Sequence, residues 1–428
     1  MITLRTENLH GIPSPHGIQK QEMTDSNFQI PDLLHQISSR NVGFHDIELL
    51  KSHLPKIQKL ADQQEGKFQN IVILGIGGSA LGPICIKHAF SNPFLQNPPN
   101  LHIVDNIDPR LIYDLEKSIQ LKTTLFVVIT KSGTTPETIS QYLYFKERIK
   151  NANLAPQNHF IFITDPTKGY LREITNSEKI PALEIPPNIG GRFSVLTAVG
   201  LFPAALLKIN IQEMLDGASE AQKSFTSTDP TQNIPFQIAL IQYLLYKKGK
   251  TINVMMPYLN RLERFSAWYG QLLAESIGKK FDNHGNIVHS GITPVNALGA
   301  TDQHSQTQLY NEGPNDKLIM FLTCEDYGHT LEIPRLDPPL PSLEYLKHTS
   351  FNELIQLEQK GTELAYTQNH RPNITIQIDK LSPHTLGELF MTMESATAFL
   401  GEMLNINTYD QPGVELSKEL TKTFLLKK

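Results

Sequence analysis

Four short apolar runs, at 71–74, 101–104, 125–130 and 160–164, punctuate the first half of the chain, with stretches of helical period between them. Runs of this length without strict alternation read as strands buried on both faces. Strands alternating with helices predict right-handed βαβ units and a parallel sheet covered on both sides. A mostly buried helix over 194–207, kinked at Pro203, leaves this first cycle. A second cycle begins near Thr251, with strands over 251–256 and 317–323 and a third over 374–378, whose partial alternation puts it nearer an edge. Ser382-Pro383 then opens a long helix to about Leu404, with N-cap and first-turn proline chemistry. The proline-rich stretch 334–341 reads as an extended connection. Residues 1–40, broken by Gly11, Pro13, Pro15 and Gly17, read as an arm or loop. The pattern divides the chain into an N-terminal arm (1–40), a first α/β domain (41–207), a second (208–405) and a C-terminal helical segment (406–428).

Composition narrows the class. The 428 residues are 39% hydrophobic and 19% charged, as expected of a globular protein of about two domains. A net charge of −5 with scattered Lys and Arg argues against a nucleic-acid partner. Cys85 and Cys324 are the two cysteines, too few for a disulfide framework, and no Cys/His group has zinc spacing. His284 and His289 lack the His-Glu-x-x-His pattern and carry no assignment. The first residues lack a charged start followed by an apolar core, and no apolar run approaches a membrane span, so the expected compartment is the cytoplasm.

The strongest chemical signal is Thr130-Lys131-Ser132-Gly133-Thr134-Thr135-Pro136-Glu137-Thr138, a hydroxyl-rich loop between a buried strand and a helix. Thr135-Pro136 predicts an N-cap followed by a first-turn proline. Unpaired N–H groups, the helix dipole and the hydroxyls of Thr130, Ser132, Thr134 and Thr135 then face one small volume, which suits a phosphate. A polar capping turn without ligand fits the loop about equally well. It is not a nucleoside-triphosphate loop of the Gly-x-x-x-x-Gly-Lys-Ser/Thr kind.

Gly75-Ile76-Gly77-Gly78-Ser79-Ala80-Leu81-Gly82 fits a dinucleotide fingerprint, but the next candidate acid, Asp105, lies 30 residues beyond Gly75, later than the usual spacing of about 20. A turn that brings N–H groups and Ser79 to a sugar phosphate, or close helix–strand packing alone, fits equally. Asn188-Ile189-Gly190-Gly191-Arg192-Phe193-Ser194 places an arginine beside paired glycines, where it can meet developing negative charge or simply cap a turn. Residues 261–280 read as an amphipathic helix with Leu262, Phe265, Tyr269, Leu272, Leu273 and Ser276 near one face and Gly278 as its stop. Gln271 and Glu275, at i and i+4, project together from this apolar segment, as a proton-transfer base would, though a solvated helix-end glutamate has the same signature. Asp302-Gln303-His304 reads as an N-cap with His304 in a first helical turn, where the dipole favours a neutral imidazole; an ordinary loop histidine is the alternative. Tyr409-Asp410-Gln411-Pro412-Gly413-Val414-Glu415 is a turn leading into a helix with the stripe Leu416, Leu420, Phe424 and with Lys418, either a donor to a sugar oxygen or a solvated lysine.

In this order, from about residue 71 to Lys418, these segments resemble the glucose-6-phosphate isomerase (phosphoglucose isomerase) family, in its shorter bacterial type. The 188–194 segment and the 409–415 segment with Lys418 carry most of the likeness. The resemblance implies two sugar-isomerase (SIS) domains, each a mostly parallel sheet flanked by helices on both faces. It implies reversible isomerisation of glucose 6-phosphate and fructose 6-phosphate in glycolysis and gluconeogenesis, with ring opening and proton transfer through a cis-enediol(ate). It also implies no metal or organic cofactor, and a homodimer in which His304 is contributed across the interface. By the same resemblance, His304 and Lys418 assist ring opening, Glu275 moves the proton between C1 and C2, and Arg192 stabilises the enediolate. Thr130, Ser132, Thr135 and the backbone of Lys131 hold the phosphate with Ser79 near it, while Gly78, Gly191, Gln271 and Gln411 line the sugar. Ala80, Ser132 and Gly133 depart from residues common in the family and bear on pocket shape. A dual phosphoglucose/phosphomannose isomerase and a non-catalytic sugar-phosphate sensor on the same fold are the alternatives. The Gln-x-Gly-Val-Glu-x-x-Lys stretch argues against the first, and Glu275, Arg192 and His304 together against the second.

Overall fold

Asn70–Leu74 (β2), Asn100–Val104 (β3), Thr124–Ile129 (β4), Phe160–Thr164 (β5) and a short Ala182–Glu184 (β6) form an all-parallel sheet in the order β3-β2-β4-β5-β6. The computed structural model describes residues 2–95, 98–334 and 338–427. Alternate residues of β2 and β4 enter different cores: Ile71, Ile73, Leu125 and Val127 join one, Val72, Leu74, Phe126 and Val128 the other. That is why these strands read as continuous apolar runs rather than alternating ones.

The second sheet runs β1-β12-β11-β7-β10, from Ile2–Arg5 (β1), Ile252–Pro257 (β7), Thr293–Asn296 (β10), Lys317–Asp326 (β11) and Asn373–Lys380 (β12). It is parallel except for β1, which pairs antiparallel with β12 at Ile2↔Ile378. The N-terminal segment is therefore not an arm or loop. Its first residues close the sheet, and its Ile30–Ser39 helix packs on the Pro383–Met403 helix. A four-residue strand is too short to show periodicity, and Ile2 and Leu4 were its whole apolar signal. For the same reason β12 is one strand in from the edge.

The Ser382-Pro383 reading holds: Ser382 caps the Pro383–Met403 helix through a capping box. This helix is buried from Thr385 to Met403 and packs against the Ile211–Thr226, Ile234–Lys247 and Glu263–Ile277 helices. It even carries Glu394 fully buried, where loss of solvent raises the carboxyl well above its usual range. The predicted 194–207 helix begins later, at Ala198, capped by Thr197, and contains Pro203. Of the proline-rich stretch 334–341, residues 335–337 lie outside the described residues, 338–340 carry no regular structure with Leu340 extended, and a 3₁₀ turn, Pro341–Leu346, begins at its last residue. Cys85 and Cys324 are buried free thiols. Among the described residues no helix is long and apolar enough to cross a membrane.

Among the apolar side chains left exposed are those of the C-terminal helix and of one hairpin. The Glu415–Leu426 helix buries none of its residues, leaving Leu416, Leu420 and Phe424 exposed. The hairpin of Lys279–Phe281 (β8) and Ile287–Ser290 (β9) presents Phe281, Ile287 and Val288.

Candidate active site

The chain passes from β2 to β3 on one side and then to β4 on the other, so the sheet order reverses between β2 and β4. A crevice opens at the carboxyl ends of the strands at such a point, and it is where open α/β sheets bind ligands. The Gly77–Ser79 turn follows β2, and the hydroxyl loop follows β4. Both therefore border this crevice.

In the loop, Thr130 Oγ1 lies 2.7 Å from Thr135 Oγ1 and 3.4 Å from Ser132 Oγ, and Ser132 Oγ lies 3.3 Å from Thr135 Oγ1. Thr135 precedes the Pro136–Asn151 helix as expected, but its hydroxyl caps nothing. It turns to Thr130 and Ser132, so the three hydroxyls form one group beside an uncapped helix N-terminus, the polarity an anion needs. Gly133 has φ +66°, and a Cβ there would come within 3.2 Å of the Gly169 backbone. A bulky side chain at this position would require the 169–170 turn to move, which gives the departure at Gly133 a physical reason.

The Lys131 side chain does not face the hydroxyls. Its Nζ donates to Pro187 O at 2.7 Å and Ile189 O at 2.9 Å, tying the loop to the segment that carries Arg192. Burial lowers its pKa from the ordinary lysine value. A second tie is made of backbone. A Cβ on Gly78 would lie 2.3 Å from the Gly191 carbonyl, so the 77–79 and 191–193 turns touch without side chains between them. Glycine at 78 is required by this contact, which supplies the packing reason for part of the fingerprint-like run.

Arg192 is 4% exposed and saturated with acceptors. Nε donates to Ser276 Oγ at 2.8 Å, Nη1 to Gln411 Oε1 at 2.7 Å and Glu275 Oε2 at 3.4 Å, and Nη2 to Thr408 O at 2.5 Å and Asp410 O at 3.0 Å. Burial pulls its pKa down, while Glu275 and Asp410 oppose that shift; a guanidinium stays charged regardless. Its five contacts gather two separate stretches of sequence, 275–276 and 408–411, around one planar cation.

Glu275 stands near the end of the Glu263–Ile277 helix, whose predicted apolar members Phe265, Tyr269, Leu272, Leu273 and Ser276 are all buried. Gln271 Nε2 donates to Glu275 Oε1 at 2.9 Å, the contact its i, i+4 spacing implied. The carboxylate is 34% exposed, so it is held at both oxygens yet open to a ligand. Lys279 is 5% exposed and donates to Glu275 O at 2.6 Å and Asp410 O at 2.7 Å.

Arg192, Glu275, Gln271 and Gln411 are thus brought together. His304 and Lys418 are not joined to them by any hydrogen bond or ion pair among the described residues. His304 is exposed on the 3₁₀ turn Thr301–His304 and not in the first turn of an α-helix, so the dipole argument for it has no helix behind it. Asp302 is no N-cap there; it accepts from Leu298 N at 2.7 Å. Lys418 pairs with Glu415 at 2.7 Å on the uncovered C-terminal helix. Sequence reasoning missed Ser276, Lys279 and the Thr408 carbonyl as partners of the site. Ser276, a hydroxyl on an apolar helix face, was the available signal. A cavity of about 820 Å³, lined by Lys67, Thr123 and Lys208 among others, lies at the amino ends of β2 and β4 and contains none of these residues.

Known proteins resemble this chain over most of its length. The family described as phosphoglucose isomerase matches residues 54–330 and 348–427. A glucose-6-phosphate isomerase of Carboxydothermus hydrogenoformans is 44% identical over 390 residues, 89% of this chain and 84% of its own. A crystal structure of a hypothetical protein from Thermus thermophilus has a TM-score of 0.90 at 30% identity, covering 99% of this chain and 100% of that one. That of a glucose-6-phosphate isomerase from Chlamydia trachomatis has a TM-score of 0.77 at 25% identity, over 88% and 73%. This chain, with an arginine–glutamate pair at the switch point of a doubly covered parallel sheet, belongs to the phosphoglucose isomerase family.

Proposed function

We propose that the protein is an aldose–ketose isomerase that interconverts glucose 6-phosphate and fructose 6-phosphate in the cytoplasm, without metal or organic cofactor, as a homodimer. The observation that carries this reading is the Arg192–Glu275 pair, with the carboxylate steadied by Gln271 and the guanidinium by Gln411. An aldose–ketose shift needs a base beside two adjacent carbons and a cation for the charge that develops between them. Glu275 takes the proton from C2 of the open-chain aldose and returns it to C1. The electron pair passes to O1 as the enediolate forms, Arg192 stabilises that charge, and the O2 proton passes to O1 so that C2 becomes the ketone carbonyl when C1 is protonated. His304 and Lys418 exchange protons at the ring oxygen and O1 to open the ring. The Thr130, Ser132 and Thr135 hydroxyls, with the Lys131 backbone and Ser79, grip the phosphate, so that remote binding energy orients the carbons at Glu275. Gly78 and Gly191 line the sugar. Residues 41–207 and 208–405 act as the two SIS domains, with β1 returned to the second.

A coupled assay with chelator present tests this. Fructose 6-phosphate should be converted to glucose 6-phosphate, and mannose 6-phosphate should not be turned over. Turnover of mannose 6-phosphate would favour the dual isomerase, and binding without turnover the sensor.

The uncovered stripe Leu416, Leu420, Phe424 supports the homodimer, since apolar faces of this kind are usually covered by a partner. On this reading the second copy supplies His304. Leu420→Asp combined with Phe424→Asp is expected to weaken self-association by roughly 10²-fold or more. Light scattering should then report monomer, and activity should fall with it. A fully active monomeric variant would remove the need for a partner's His304.

A further inference from the structure

We infer that Lys279 is a positioning residue for the isomerisation: its buried ammonium locks the last turn of the helix carrying Glu275 to the segment carrying Gln411, and so sets the spacing between base and cation. The inference rests on the isomerase reading. Gly278 N donates to Ala274 O, after which the chain leaves the helix for β8. Glu275 O thus loses the backbone donor that a continuing helix would supply. Lys279 turns back and supplies it from Nζ at 2.6 Å, while also holding Asp410 O at 2.7 Å, with Asp410 Oδ1 at 3.5 Å.

Asp410 O is shared: Arg192 Nη2 donates to the same oxygen at 3.0 Å. Two cations therefore meet at one carbonyl, directly behind the base. The charged groups around Lys279 are Arg192, Asp410 and Glu275; burial and then Arg192 disfavour its charge, and the two carboxylates favour it. Burying an ammonium beside a guanidinium is costly. A neutral amide would serve as a tie between two carbonyls at less cost. What the amide would lack is a second positive charge below the place where the enediolate forms, and a grip that fixes the Arg192 acceptors. Lys279 touches no reacting atom and acts through Glu275, Arg192 and Gln411.

The test compares wild type with Lys279→Met and Lys279→Arg. A small misplacement of reacting groups costs about 10²-fold. Lys279→Met should therefore lower kcat by roughly 10- to 10²-fold, with KM within about threefold. Its affinity for a phosphorylated five-carbon hydroxamate, an enediolate mimic, should fall in parallel with kcat, while affinity for a neutral-headed hexitol phosphate stays. Lys279→Arg, which keeps the charge, should recover part of both losses. If the Met variant does not fold, Lys279→Gln carries the same comparison. An unchanged kcat and hydroxamate affinity, or equal loss of both ligands, would reduce Lys279 to a structural prop. An inert wild type would overturn the isomerase reading itself.

Discussion

Glu275→Gln is expected to lower kcat by about 10²- to 10⁴-fold, the range a positioned proton-transfer base contributes, while binding of the phosphorylated sugar largely survives. The geometry makes this substitution clean. Glu275 Oε1 accepts from Gln271 Nε2 and Oε2 faces Arg192 Nη1, so an amide oxygen placed toward Arg192 keeps one of these contacts. The side chain retains its size, and the buried helix face below it, from Phe265 to Ser276, is untouched. What is lost is the lone pair that accepts a carbon-bound proton. The phosphate grip lies on another loop, among Thr130, Ser132 and Thr135, and does not depend on that carboxylate. Steady-state kinetics with fructose 6-phosphate, together with calorimetric binding of an inert hexitol phosphate, separate the two terms. The expected pattern is kcat lost and affinity kept. Near-normal turnover would move the base elsewhere, and loss of affinity equal to loss of kcat would make Glu275 a binding group.

What was legible in the sequence follows physical range. β2, β4 and β5 were read from runs such as Leu125–Ile129 because both faces are buried, a property local to five or six residues. The Gln271–Glu275 contact was legible because helix spacing alone creates it. β1 was not, since its only reason to be a strand is its partner Thr375–Ile378, which lies at the other end of the chain. The Arg192 environment was half legible. Paired glycines beside an arginine marked a close backbone approach, which Gly191 makes to Gly78, but the acceptors Ser276, Thr408 O and Asp410 O come from distant segments and two of them are main chain. Lys131 shows the same limit in reverse. The resemblance gave its backbone to the ligand and was silent on its side chain, whose ammonium reaches Pro187 O and Ile189 O in a distant segment. His304 carries a sequence signal whose contacts, on the reading above, are completed by a second copy, and Lys418 stands on a helix that buries none of its residues.

Arg192→Lys is expected to cost about 10²- to 10³-fold in kcat/KM, the loss that follows removal of one preorganised charge stabiliser, and more than a change of one cation for another would suggest. The guanidinium serves five acceptors in a fixed fork, and an ammonium has three donors and no plane. At least two acceptors lose their partner, and each buried acceptor left unpaired costs about 1–3 kcal/mol. Of the five, Asp410 O keeps a donor in Lys279, so the deficit falls on Thr408 O, Ser276, Gln411 or Glu275. Loss at Gln411 or Glu275 frees the groups meant to meet the sugar; loss at Thr408 O loosens the segment that leads to the C-terminal helix. A shorter, point-like cation cannot hold both and still face the enediolate. Thermal unfolding should therefore fall in step with activity, unlike the Glu275→Gln case. Hydroxamate affinity should drop further than hexitol phosphate affinity, because only the former carries the charge that Arg192 meets. Guanidinium ion added to the smaller Arg192→Ala variant should recover part of the turnover if the fold persists. A lysine variant with wild-type kcat/KM and an unshifted melting temperature would mean that the charge matters without its geometry, and the five-fold grip described here would not be what positions the site.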